Sequence, residues 1–252
     1  MCSVYPLQQT LSIMLPLLTL FLLFQNAMAC GEDIGNRIVG GDSTEPHAIP
    51  WQVGLVRKGQ SRPFCGGTII CPKFIMTAAH CMGGDFQVLA QEHKVNDGAA
   101  TGTRHDVSKI VSHPKFKADT FDFDFAILEL TDALDLTGDS KARAACLPSA
   151  TDSQFVSGTK FVISGWGALS QGGSSPNVLH SAVVPHISDA VCNSNYGGRI
   201  TGQMVCAGHA KGGIDSCQGD SGGKANPQSE YKVSPPKKTH PTILSSIFSQ
   251  VH

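Results

Sequence analysis

The 252-residue chain carries a formal net charge of −1, with 15% charged and 41% hydrophobic residues. That balance supplies a sizeable core and excludes partners recruited by a strong electrostatic field, nucleic acid and anionic membranes among them. Glycine is abundant at 27 residues, and strand-forming runs outnumber helical ones, which points to an all-β chain rich in turns.

Residues 11–24 are apolar except for Ser12, Pro16 and Thr19, and soon give way to Ala27-Met28-Ala29, a small-residue cleavage pattern. No Lys or Arg precedes the run, a departure from the usual signal; its shortness and Pro16 disfavour a membrane anchor. Residues 1–29 therefore read as an export signal, and a secreted, extracellular protein is expected. Removing them leaves eight of the nine cysteines: Cys30, Cys65, Cys71, Cys81, Cys146, Cys192, Cys206 and Cys217. An even set in an exported chain suits disulfides. With no CxxC pair and no zinc-type His/Cys spacing, no metal site is expected.

A polar stretch at 30–37 precedes Ile38-Val39-Gly40-Gly41, and Arg37 before that apolar pair marks a cut site on a flexible segment. Strand-like runs follow at 51–56, 68–70, 74–77, 86–89, 107–111 and 125–130, with turn signals between them. Residues 170–176 read as an exposed loop, and Ser188 as the cap of a short helix through Val191. The stretch 224–252 has four Lys, four Pro, no Cys and one apolar run at 243–248, and reads as a flexible basic tail.

Chemistry enters with Gly219-Asp220-Ser221-Gly222-Gly223. A serine hydroxyl is a weak nucleophile that needs a base and an oxyanion site. Flanking glycines let the backbone turn sharply and bring N–H groups close to a substrate carbonyl. Thr77-Ala78-Ala79-His80-Cys81 offers a base. Phe121-Asp122-Phe123-Asp124-Phe125 offers two carboxylates, either of which could orient the histidine and stabilise its protonated form.

The chain order His80, Asp124, Ser221, with Ile38-Val39-Gly40-Gly41 upstream, resembles the chymotrypsin/trypsin family of serine proteases. Pro50-Trp51-Gln52-Val53, Cys65-Gly66-Gly67-Thr68, residues 77–81, Gly165-Trp166-Gly167 and residues 215–223 match its landmarks. The resemblance implies two packed antiparallel six-stranded β-barrels with an active site in the cleft between them, and a protease domain over 38–223. It implies Ser221 as nucleophile, His80 as base and Asp124 as the residue fixing the histidine tautomer. Asp124 is preferred to Asp122 because the apolar-small-apolar run Phe125-Ala126-Ile127 follows it directly. The N–H groups of Gly219 and Ser221 would form the oxyanion hole. Asp215, six residues before Ser221, would floor a pocket for Arg or Lys. Cleavage between Arg37 and Ile38 would separate residues 30–37 as an activation propeptide, still tethered through Cys30, and free an ammonium to pair with Asp220.

The same resemblance implies disulfides Cys65–Cys81, Cys192–Cys206 and Cys30–Cys146, leaving Cys71 and Cys217 over. Glu92 and Asp97 could sit in a family-type calcium loop, but their pattern assigns no ligands, and no cofactor is expected. Partners would be protein or peptide substrates and protease inhibitors, and a monomer is expected. The family's partner for Cys217, and the strands and closing helix that follow the nucleophile, have no counterpart in 224–252, so the second barrel is expected to be incomplete. The function expected is a secreted serine endopeptidase cutting after Arg or Lys through an acyl-enzyme. The alternative is an inactive homologue acting as a binding protein, or a truncated product that does not fold.

Overall fold

The structure, a computed structural model, describes residues 42–95, 102–147, 159–168, 173–208 and 226–227. Strands β2 (Gln52–Arg57), β3 (Pro63–Cys71), β4 (Phe74–Thr77), β5 (Phe86–Ala90), β6 (Thr103–Ser112) and β7 (Ala126–Leu130) follow β1 (Asp42–Ser43). These six close into an antiparallel barrel in the order β2-β3-β4-β7-β6-β5. Each overlaps one of the runs expected from the sequence, with β3 beginning five residues before the run at 68–70. The alternation is clean where it is useful: in β7, Ala126, Leu128 and Leu130 are buried while Ile127 and Glu129 are partly exposed. Leu128 and Leu130 join Val53, Leu55, Ile69, Ile75 and Val88 in a single fully buried interior.

One of those strands could not be bounded by hydrophobicity. β6 starts at Thr103, four residues before the expected run, and is exposed over most of its length. Its ladder bonds to β5 and β7 hold it in place. Gly54 meets a different need. A Cβ there would lie 2.6 Å from Pro63 Cγ and 3.7 Å from the Trp166 ring, so only glycine lets β2 and β3 approach this closely.

The second half is built on β8 (Lys160–Gly165) and β9 (His180–Ile187), followed by α1 (Asp189–Asn195), β10 (Cys206–Ala207) and β11 (Asn226–Pro227). Its sheet runs β1-β9-β8-β11, with β10 on the other part of β9. A smaller core of Phe161, Ile163, Ala182, Val184 and Ala207 sits on it. Among the described residues the architecture is thus mostly β, with one closed barrel and a second, partial sheet, consistent with a trypsin-like double-barrel fold. β11 pairs Asn226 with Val162 and Pro227 with Phe161, so two residues of the stretch read as a flexible tail are strand. Proline, lacking an N–H, is tolerated there because β11 lies at the sheet's end.

Directional bonds fix one half against the other. Ser164 Oγ on β8 donates to Gln52 Oε1 on β2 at 2.9 Å, with both side chains buried. Trp166 Nε1 donates to the His93 carbonyl at 3.2 Å while its ring packs into the barrel's core. Val95 N–H donates to Asn177 O, and Leu179 N–H to His93 O, at 2.7 and 2.9 Å. Each is a net contribution of about 1 kcal/mol, but leaving one buried partner unpaired costs about 1–3 kcal/mol. That asymmetry makes them orienting contacts.

α1 extends past its expected end at Val191 to Asn195, and Ser188 makes no side-chain capping bond. The helix stops where Gly197 and Gly198 adopt φ of +62° and +83°.

Candidate active site

Strand register creates the site. β4 and β7 are antiparallel, and Thr77↔Ala126 is the pair at the edge of their ladder. Three residues beyond Thr77 comes His80, and two residues before Ala126 comes Asp124, so both arrive at the same rim of the barrel. His80 occupies a 3₁₀ turn, Ala79–Cys81, closed by Cys81 N–H to Ala78 O and Met82 N–H to Ala79 O. Cys81 is bridged to Cys65 on β3, which anchors that turn to the barrel wall.

Asp124 has no solvent exposure in its side chain, whereas the His80 side chain retains 28%. Both carboxylate oxygens are taken by the histidine. The His80 backbone N–H donates to Oδ1 at 2.7 Å, and ring Nδ1 meets Oδ2 at 2.5 Å. An ionised carboxylate can only accept, so Nδ1 carries a proton, and in the neutral ring the lone pair falls on Nε2. The imidazole is thereby set as a base directed away from the carboxylate. Phe121 meets the ring edge-on, 5.3 Å between centroids at 89°, which restricts its rotation.

The turn carrying Asp124 is held in an uncommon conformation. Phe121 and Phe123 have φ of +55° and +53°, a region that side-chain-bearing residues seldom occupy. The Phe123 ring stacks on His113 at 4.7 Å and 3°. Asp122, the other carboxylate of the motif, does not reach His80; its Oδ1 accepts a hydrogen bond from Thr201 Oγ1 at 2.7 Å. Sequence alternation would have sent that side chain to solvent, and nothing in the local pattern signals its partner 79 residues away.

Of the residues singled out from sequence, the structure brings His80 and Asp124 together. Ser221, Gly219, Asp215, Asp220, Arg37, Ile38, Cys30, Cys217 and Asp97 lie outside the described residues. Cys192 is bonded to Cys206, closing α1 onto β10. Cys146 is disulfide-bonded, and so is Cys71, so Cys71 is not a cysteine left over. Glu92 is buried, and its oxygens accept N–H groups from His93, Lys94 and Gly102 at 3.0–3.1 Å, tying together the two ends of a loop. Ligand atoms of Cys65, His80 and Cys81 lie within 4.8 Å of one another, but the sulfurs are joined to each other and present no thiolate to a metal. Among the described residues, no helix is long and apolar enough to cross a membrane.

A barrel rim thus presents a buried aspartate to a partly exposed histidine, and similarity to known proteins gives the family in which that pair occurs. The family model described as Trypsin matches residues 38–231. Cationic trypsin-3 of Rattus norvegicus is 38% identical over 193 residues, covering 76% of this chain and 75% of that protein. Trypsin of Sus scrofa is 38% identical over 192 residues, covering 76% and 80%. Transmembrane protease serine 9 of Rattus norvegicus is 42% identical over 194 residues, 74% of this chain and 18% of that much longer protein. The chain belongs to the trypsin family of serine proteases.

Proposed function

We propose that the protein is a secreted serine endopeptidase that hydrolyses peptide bonds after Arg or Lys. The observation that carries this is the His80–Asp124 pair: a buried carboxylate fixing Nδ1–H at 2.5 Å and freeing Nε2 as a base. Ser221 supplies the nucleophile. Nε2 of His80 accepts the Ser221 proton as Oγ attacks the substrate carbonyl, and the imidazolium that forms is stabilised by Asp124. The tetrahedral oxyanion is held by the N–H groups of Gly219 and Ser221, each worth roughly 3 kcal/mol in the transition state. His80 then returns the proton to the leaving amine, and water attacks the acyl-enzyme by the same route in reverse. Asp215 pairs with the cationic end of the residue preceding the cut bond.

Residues 1–29 are the export signal and 30–37 the propeptide, as the apolar run and the Arg37-Ile38 step suggest. Cleavage frees the Ile38 ammonium to pair with Asp220 and order the oxyanion loop. Because the cut follows Arg, the enzyme's own specificity suits activating it; Arg37→Gln protein should then gain activity more slowly than wild type when left with trace active enzyme.

The test is turnover of an amide substrate ending in Arg by the full chain cleaved after Arg37, alongside Ser221→Ala. Turnover abolished by Ser221→Ala supports the reading. A correctly folded, correctly cleaved chain that neither hydrolyses the substrate nor reacts at Ser221 with a serine-directed phosphonate would overturn it in favour of a non-catalytic homologue.

A further inference from the structure

The Asp122–Thr201 hydrogen bond joins the two halves of the molecule beside the His80–Asp124 pair. Asp122 belongs to the turn between β6 and β7 of the closed barrel; Thr201 lies between α1 and β10 of the second sheet. The Thr201 end is well anchored. Ile200 N–H donates to Asn193 Oδ1 on α1 at 3.0 Å, and Met204 N–H donates to Thr201 O at 3.1 Å. The Cys192–Cys206 disulfide brackets the whole segment. The Thr201 hydroxyl donates its one proton to Asp122 and accepts the Gln203 N–H at 3.3 Å, so its orientation is set.

The Asp122 end needs holding. Asp122 sits between Phe121 and Phe123, the two residues with positive φ, and Asp124 follows immediately. Such residues keep that conformation only where the surroundings over-determine it. Within the barrel, Lys117 N–H donates to Asp122 O at 3.0 Å and His113 stacks on Phe123. Neither contact relates the turn to the second half, where the nucleophile of the proposed triad belongs. Thr201 does.

On the triad reading given above, we propose that Asp122 and Thr201 are positioning residues: a strap from the second sheet that holds residues 121–124 in the conformation presenting Asp124 to His80. Without it the strained turn relaxes, Asp124 shifts, and the Nδ1–H bond that sets the histidine tautomer lengthens. Substrate contacts are untouched, so turnover changes and substrate affinity does not.

Thr201→Val removes the hydroxyl while nearly keeping the shape. In the full chain cleaved after Arg37, it should lower kcat about tenfold, the size expected for one lost orienting hydrogen bond, with KM unchanged. Thr201→Ser should restore kcat. The pair Asp122→Asn, which keeps an acceptor oxygen, and Asp122→Leu, which does not, repeats the comparison from the other end should Thr201→Val fold poorly. The His80 Nδ1–H resonance is followed in parallel by proton NMR, which needs no catalysis; loss of the strap should move it upfield, because the charge-assisted bond to Asp124 lengthens. Wild-type kcat together with a wild-type Nδ1–H resonance in Thr201→Val, or equal behaviour of the two Asp122 variants, overturns the proposal. If the wild-type chain turns over no substrate, the peptidase reading fails separately, and the Nδ1–H resonance alone decides the strap: moved upfield supports it, unchanged sinks it.

Discussion

Asp124→Asn isolates what the buried carboxylate does, because it keeps the shape and changes only the hydrogen-bond chemistry. Asp124 uses Oδ1 for the His80 backbone N–H at 2.7 Å and Oδ2 for Nδ1 at 2.5 Å, with no water available to either. Asparagine has one acceptor oxygen and one donor nitrogen. If the oxygen stays with the backbone N–H, the amide N–H₂ faces Nδ1, and the ring can meet it only by moving its proton to Nε2. That is the atom required as the base. If the amide flips, two donors face each other in a buried site, at a cost of about 1–3 kcal/mol. The first arrangement wins, and the base is lost. The expected loss in kcat is about four orders of magnitude. At 1.36 kcal/mol per decade this is roughly 5.4 kcal/mol of transition-state stabilisation. Global stability should change by only about 1–2 kcal/mol, because shape and burial are kept. The assay is steady-state hydrolysis of an Arg-ending amide by the cleaved full chain, with a thermal melt on the same preparation. A variant that folds and retains kcat within tenfold of wild type would refute the tautomer argument.

Three further expectations concern the frame around that pair. Replacing Cys65 and Cys81 together by Ala opens a bridge spanning 16 residues and should lower unfolding free energy by about 3 kcal/mol in chemical denaturation, with a parallel fall in activity because the His80 turn is released. Gly54→Ala puts a methyl 2.6 Å from Pro63 Cγ and should destabilise by about 1–3 kcal/mol; an unchanged melting temperature would mean that β2 and β3 can separate freely. Burial first, and the neighbouring His47 second, hold His93 below its ordinary value of 6.5, while burial chiefly lowers His47 and His105. The unfolded chain therefore binds more protons in this range, so stability present above about pH 6.5 is lost as pH falls through the folded values. Urea midpoints should decline from about pH 7 to about pH 5, and His93→Gln should flatten the decline.

Much of the closed barrel is legible in the chain because its strands obey a simple rule. Residues 74–77 and 126–130 alternate toward one interior, so their periodicity is their structure. β8 and β9 obey no such rule. β9 carries His180, Ser181 and His186 and is interrupted by Pro185, signals that argue against a strand. It is nonetheless the central partner of its sheet, paired with β1, β8 and β10. β6 is polar and exposed, and only its neighbours on both sides define it. The site divides in the same way. That His80 and Asp124 belong together came from a motif resemblance; why they meet is the β4–β7 register, which composition cannot supply. Asp122 shows the limit most clearly, since its partner is chosen by how the two halves pack.

The pairing of β1 with β9 sets an order of events during synthesis. Every strand of the closed barrel lies within residues 52–130, so its ladders can pair as soon as this contiguous stretch leaves the ribosome, while Trp166 and Leu179 complete its core only later. Asp42 and Ser43 precede it in the chain, yet their partners are Ser181 and His180. At about 5–20 residues per second, the 50 residues between Leu130 and His180 take roughly 3–10 s to make. Throughout that interval Asp42 and Ser43 have no strand to pair with, and the first strand of the chain waits for one of the later ones before it becomes part of a sheet.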